Sequence, residues 1–257
     1  LSAHFYKQAS IKKSYNATHL DIVMQQKDMA QKAPKRKNLV ILIHGLHQTT
    51  WMMRPLAKRL QAQGFATHQY SYRSMRDGIK TNSQRLHEWL SANHNPDQPI
   101  DLVAHSLGGL IIRDFLANYP KWQIGRCVTL GTPHVGSVCA DYVWRLSPLI
   151  VGRSYADALD GTATSCPEHI HIGVIAGDKP RGLGQPFLQY HNRKLNKESE
   201  SAATENCAHD GTVYVSETRL DCANDHIVLP VTHTGMLVDK EVARQVIYFL
   251  ENGEFER

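Results

Sequence analysis

No apolar run in this 257-residue chain approaches the roughly 20 residues needed to cross a bilayer. Its opening residues, Leu1-Ser2-Ala3-His4, do not read as a signal peptide, and a start without methionine is what a processed chain or a fragment shows. Internal repeats, low-complexity stretches and an interdomain linker are also missing, so residues 1–257 are expected to form a single domain. Acidic residues are outnumbered, 24 against 29 lysines and arginines, for a net charge of +5. That excess carries no nucleic-acid motif and no interleaved aromatics, which argues against a nucleic-acid partner. The basic cluster Lys32-Ala-Pro-Lys35-Arg36-Lys37 reads as a solvated linker. It leaves a transient membrane or lipid-surface contact open, although no amphipathic helix stands beside it. His169 and His171 have a strand-face spacing, but without neighbouring cysteines or carboxylates they make no metal site, and no metal or cofactor is expected.

Against these absences stands Ile100-Asp-Leu-Val-Ala-His-Ser106-Leu-Gly-Gly-Leu-Ile-Ile112. One apolar run ends at Ser106 and a helix-capable run begins one residue later. Ala104 and Gly108 keep both flanks small, as a sharp strand-to-helix reversal requires. The pattern is small-x-Ser-x-Gly, with alanine where glycine is usual. Such an elbow exposes the serine hydroxyl and turns the Leu107 amide toward the same space. Upstream, the apolar run 39–43 reads as a strand buried on both faces and ends in His44-Gly45-Leu46. An inward-facing Leu46 amide would complete a two-donor oxyanion hole with Leu107.

The third motif is Val128-Thr-Leu-Gly131-Thr-Pro-His134-Val-Gly136-Ser137. Here the chain resembles the bacterial lipase and esterase branch of the α/β-hydrolase superfamily, the triacylglycerol lipase-like enzymes. The resemblance covers most of the chain from about residue 38 onward; residues 1–18 carry no matching motif. It implies that His134 is a structural loop histidine and not the general base. It also implies an α/β-hydrolase fold, with a mostly parallel central sheet, flanking helices and a small helical cap.

A serine needs a base, and fifteen histidines are available. In this fold the order is Ser, acid, His, with the histidine after the last strand. His233, in Thr232-His-Thr-Gly-Met-Leu237, holds that place and resembles the base segment of related lipases. His226 lies at the start of the strand, at the wrong end of the sheet. Two aspartates compete for the acid. Asp178 follows the run 171–177, and Asp210 opens Asp-Gly-Thr-Val, which resembles the acid loop of the lipase branch and is preferred. Asp225 flanks a strand and Asp239 opens a helix.

Apolar runs at 39–43, 100–104, 127–130, 171–176 and 227–231 alternate with helical patterns at 51–63, 81–93, 107–118 and 239–251. Segments around 19–24 and 65–72 are expected to add strands, the first at an antiparallel edge. Residues 137–166 break the rhythm with scattered apolar side chains and suit either a helical cap or a crossover helix with a long loop. Cys127 sits in an apolar strand as a buried thiol, while the spacing permits Cys139–Cys166 and Cys207–Cys222 bridges. Such bridges favour a periplasmic or secreted setting over a cytoplasmic one.

The expected activity is hydrolysis of carboxylic esters through an acyl-enzyme on Ser106, with an ester or lipid as substrate. An acyltransferase or thioesterase would use the same triad, and a non-catalytic hydrolase-like binding module would predict a broken one. Oligomeric state and acyl chain length are not written in the sequence.

Overall fold

The computed structural model describes residues 37–165, 169–198 and 208–257. Six strands form one sheet: β1 (Leu39–Ile43), β2 (Ala66–Tyr70), β3 (Ile100–His105), β4 (Ile124–Leu130), β5 (His171–Gly177) and β6 (Asp225–Leu229). Their order across the sheet is β2-β1-β3-β4-β5-β6, and every neighbouring pair is parallel. The edge strand expected around 19–24 lies outside the described residues.

Alternation of side chains along β1 explains why both faces must be covered. Ile41 and Ile43 belong to one core cluster, Val40 and Leu42 to the other, and all four are fully buried. Helices α2 (Ile79–Asn93) and α3 (Leu107–Asn118) close the first face; α1 (Arg54–Ala62) and α7 (Lys240–Asn252) close the second. Phe115 anchors one core and Phe249 the other; truncating either to alanine would cost about 3–5 kcal/mol. The helical pattern over 51–63 resolves into a 3₁₀ turn, Thr50–Met53, followed by α1. Pro55, near the start of α1, has no N–H to donate back into the preceding turn.

Between β4 and β5 the chain forms α4 (Val138–Leu146) and the one-turn α5 (Pro148–Val151). A further helix, α6 (Gln185–Glu198), was not anticipated by the sequence pattern. It carries Phe187 and Tyr190 against Tyr142 of α4, with ring centroids 6.4 and 5.7 Å away. The permitted Cys139–Cys166 bridge is not formed, because Cys139 is a free thiol, as is Cys127. Burial of Cys139 in the wall between α4 and α6 satisfies it as a small apolar group. Cys222 is disulfide-bonded; Cys166 and Cys207 lie outside the described residues.

Parallel register brings the motif-bearing chain ends to one edge. Ile43 pairs with Ala104, His105 with Leu130, and Leu130 with Ile175. The turns after β1, β3 and β4 therefore leave the sheet side by side.

Candidate active site

Ser106 occupies the turn from β3 into α3 with φ 52° and ψ −123°. A non-glycine residue held there stores about 1–3 kcal/mol of strain, which the surroundings must enforce. Its amide donates to Leu130 O at 2.8 Å, and its carbonyl accepts from Thr132 Oγ1 at 2.9 Å. Two bonds to the end of β4 thus clamp the reversal. Small size at Gly108 is compulsory, since a Cβ there would lie 2.7 Å from His44 O and 2.8 Å from Ile43 O. The serine side chain does not cap the helix, so its hydroxyl stays available to the space in front.

That space is a cavity of about 430 Å³, lined in part by Ser106, Leu46, Leu107 and His233. As first residue of α3, Leu107 offers an N–H with no intrahelical acceptor. The His233 ring turns its Nδ1 to Asp210 Oδ2, 2.6 Å away. Asp210 is 1% exposed, and its other oxygen accepts from Thr212 N at 2.9 Å and Val213 N at 2.8 Å. Backbone holds the same pair together, with His233 N donating to Asp210 O at 2.9 Å. Gly131, at φ +56°, passes so close that a Cβ would stand 3.0 Å from His233 Nδ1 and 3.1 Å from Asp210 Oδ2. The glycine of the Gly-Thr-Pro-His motif therefore makes room for the carboxylate–imidazole pair.

A second group of polar residues backs the turn after β1. Gln48 Oε1 accepts from Gly45 N at 2.9 Å and lies 3.2 Å from His105 Nδ1. His105 is buried, and its Nε2 sits 2.9 Å from the carbonyl of His233. Burial and the adjacent His233 hold its ring well below the ordinary histidine range, so it is a neutral donor to that carbonyl. Tyr72 donates its hydroxyl to His44 O at 2.7 Å and stacks on the His44 ring at 4.3 Å. None of Gln48, His105 or Tyr72 stood out in the sequence. Only His105, flanking the serine, lay within a motif that could have flagged it.

The remaining candidates are placed elsewhere. Asp178 is exposed after β5, Asp225 pairs with Arg257, and Asp239 caps α7 through Glu241 N and Val242 N. His226 stands at the start of β6, 3.0 Å from Thr218 Oγ1. His134 is buried, 3.0 Å from Thr129 Oγ1, and burial drives its ring down to about 3.

Helix α4 forms one wall of the cavity through Cys139, Ala140, Val143 and Leu146, a single stripe at helical spacing. Ile150 and Val151 of α5 extend it, and Leu183 and Phe187 stand in the lining contributed by the β5–α6 region. The segment is tied down at several points. Trp144 stacks on Tyr155 at 4.4 Å, Tyr155 donates to Asp141 Oδ1 at 2.7 Å, and His47 Nε2 meets Ile150 O at 2.6 Å. In the lining, Leu146 and Leu183 are 73% and 97% exposed, an apolar rim unusual for a surface facing water alone.

Comparison with solved structures shows an α/β-hydrolase fold. The mature Bacillus licheniformis lipase BlEst2 matches with a TM-score of 0.65 at 19% identity, over 86% of this chain and 94% of its own. The metagenomic carboxyl esterase MGS0156 matches at 0.58 and 16% identity, over 86% and 76%. The methylesterase MES16 from Arabidopsis matches at 0.51 and 15%, over 83% and 97%. No curated protein matches the sequence. A family model does match, over residues 7–151: the chain belongs to the family described as a domain of unknown function, DUF7379.

Proposed function

We propose that the chain is a serine carboxylic-ester hydrolase working through an acyl-enzyme on Ser106. The observation that carries this reading is the buried Asp210–His233 contact at 2.6 Å, with His233 and Ser106 lining one cavity. In this reading Asp210 fixes Nδ1 of His233 as the protonated nitrogen, leaving Nε2 basic. His233 takes the Ser106 proton as the hydroxyl attacks the ester carbonyl. The Leu46 and Leu107 amides hold the developing oxyanion, each donor worth about 10²–10³ in rate. Protonated His233 then gives its proton to the departing alcohol and activates water to release the acid. The cycle needs no cofactor.

Residues 137–166 act as a small cap on a single domain in this reading, and the stripe on α4 receives the acyl chain. The apolar lining and the greasy rim favour an ester with an apolar acyl group, presented singly or in a lipid assembly. The test is hydrolysis of p-nitrophenyl esters from acetate to palmitate by the native chain and by Ser106→Ala. Loss of activity in a folded Ser106→Ala supports the reading. A native protein inert toward every ester in the series overturns it.

A further inference from the structure

Beside the cavity wall lies a carboxylate that the proposed mechanism does not use. Glu217, in the 3₁₀ turn Ser216–Thr218, is 6% exposed. Its Oε1 accepts from Val138 N, the first residue of α4, at 2.6 Å. Its Oε2 accepts from Tyr214 N at 2.8 Å, and Tyr214 directly follows Val213, whose amide donates to Asp210. The main chain repeats the connection: Val135 N donates to Glu217 O at 3.3 Å, and Glu217 N to Tyr214 O at 3.1 Å. One buried carboxylate thus spans the start of the cap helix and the loop that carries the acid.

We infer that Glu217 is a positioning residue that locks the acyl-pocket wall and the Asp210 loop into one geometry, so that chain-length selectivity and the set of His233 are fixed together. The inference rests on the serine-hydrolase reading of the same site. Its physical basis is that one side chain takes both amides, a part-buried one at the start of α4 and a buried one beside the Asp210 loop, so displacing either element breaks a bond to the same carboxylate. A carboxylate at the N-terminus of α4 also suits the helix dipole.

The placement carries a desolvation cost. Burial pushes the Glu217 carboxyl up to about 7, against the pull of its two amide donors, and the carboxylates of Asp210 and Asp141 push the same way. A titratable neighbour, the Cys139 thiol, is itself pushed up to about 12 by burial, Glu217 and Asp210. Ionising Glu217 in this place therefore carries a desolvation cost above about pH 7 that its two amide donors offset only in part. A buried carboxylate that carries a desolvation cost while it joins two site elements has the signature of a functional constraint.

Glu217→Gln tests this, with Glu217→Asp as the second variant. Glutamine keeps the shape but can accept from only one of the two amides; aspartate keeps the charge but is one methylene short. For Glu217→Gln at pH 8, kcat/KM should fall about tenfold or more. The loss should sit in KM for long acyl esters and in kcat for short ones. The downfield proton resonance of the His233–Asp210 hydrogen bond should shift, a readout that needs no substrate. Thermal stability of Glu217→Gln relative to the native chain should rise as pH increases through about 7. Unchanged kcat and KM across the ester series, with an unshifted resonance, overturns the inference; if the glutamine variant does not fold, the same result for Glu217→Asp overturns it. If the native chain hydrolyses nothing, the function proposal fails, while the resonance still decides the role of Glu217.

Discussion

Asp210 accepts a hydrogen bond from His233 across 2.6 Å, in a place where the carboxylate is 1% and the imidazole 7% exposed. Three donors converge on that carboxylate, two from its own loop and one from the ring. The loop amides keep the charge in place and leave one oxygen directed at Nδ1. In the proposed mechanism this holds the ring in a single tautomer before any substrate arrives.

Replacing Asp210 with asparagine keeps the volume but presents an amide to Nδ1. The ring should switch tautomer, and kcat should fall by about 10³–10⁴, while the fold persists. Steady-state hydrolysis of a p-nitrophenyl ester, alongside a circular-dichroism melt, checks both halves. Near-native kcat would remove Asp210 from the proposed triad.

Gly131→Ala should harm both stability and rate. Its φ of +56° costs a side chain about 1–2 kcal/mol, and the new Cβ would press on His233 Nδ1 and Asp210 Oδ2. Urea unfolding should show the first effect and kcat the second. A variant destabilised but fully active would mean that the pair tolerates displacement.

His47 follows the proposed oxyanion donor Leu46 and holds Ile150 O through Nε2, with its own backbone at φ 57°. Removing the ring should loosen α5 over the cavity and raise KM for long acyl esters by about fivefold, the worth of one hydrogen bond. Comparing His47→Gly with His47→Ala separates the latch from the backbone. Glycine relieves the left-handed strain, so equal KM rises with a more stable glycine variant are expected. KM unchanged in both would show that the latch does not shape the pocket.

The pH dependence of stability should have two opposed limbs. His134, held near 3, and His105, held well below its ordinary value, are depressed relative to an unfolded histidine near 6.5. The unfolded chain then binds more protons, so their contribution is present above about 6.5 and lost as pH falls through the folded values. Glu217 is raised instead, so its contribution is present below about 4.5 and is lost as pH rises through about 7. Urea midpoints measured from pH 4 to 9 should flatten on the acid side in His134→Gln and on the neutral side in Glu217→Gln. A His134→Gln profile parallel to the native one would show that this ring titrates normally.

The sequence by itself determined the sheet and its turns. Uninterrupted apolar runs such as 39–43, followed by turn residues, read as strands covered on both faces, and small residues around Ser106 allow a tight reversal. These are local constraints, written in adjacent residues. Helix α6 was less legible, because a polar segment with a few aromatics gains its helical form from packing on α4. The cysteines illustrate the same limit: spacing allowed Cys139 to be bridged, and packing between α4 and α6 made it a buried thiol. Between Asp178 and Asp210 the sequence preferred Asp210 through the resemblance of its Asp-Gly-Thr-Val segment to the lipase acid loop, but a motif does not place a side chain against His233. The tertiary structure brings the 208–215 loop to the ring and leaves Asp178 exposed. Glu217 was invisible for the same reason, since its two amide partners lie 79 and 3 residues away. A buried charge is defined by the donors that gather around it, and here those donors come together only once the sheet has aligned the ends of its strands.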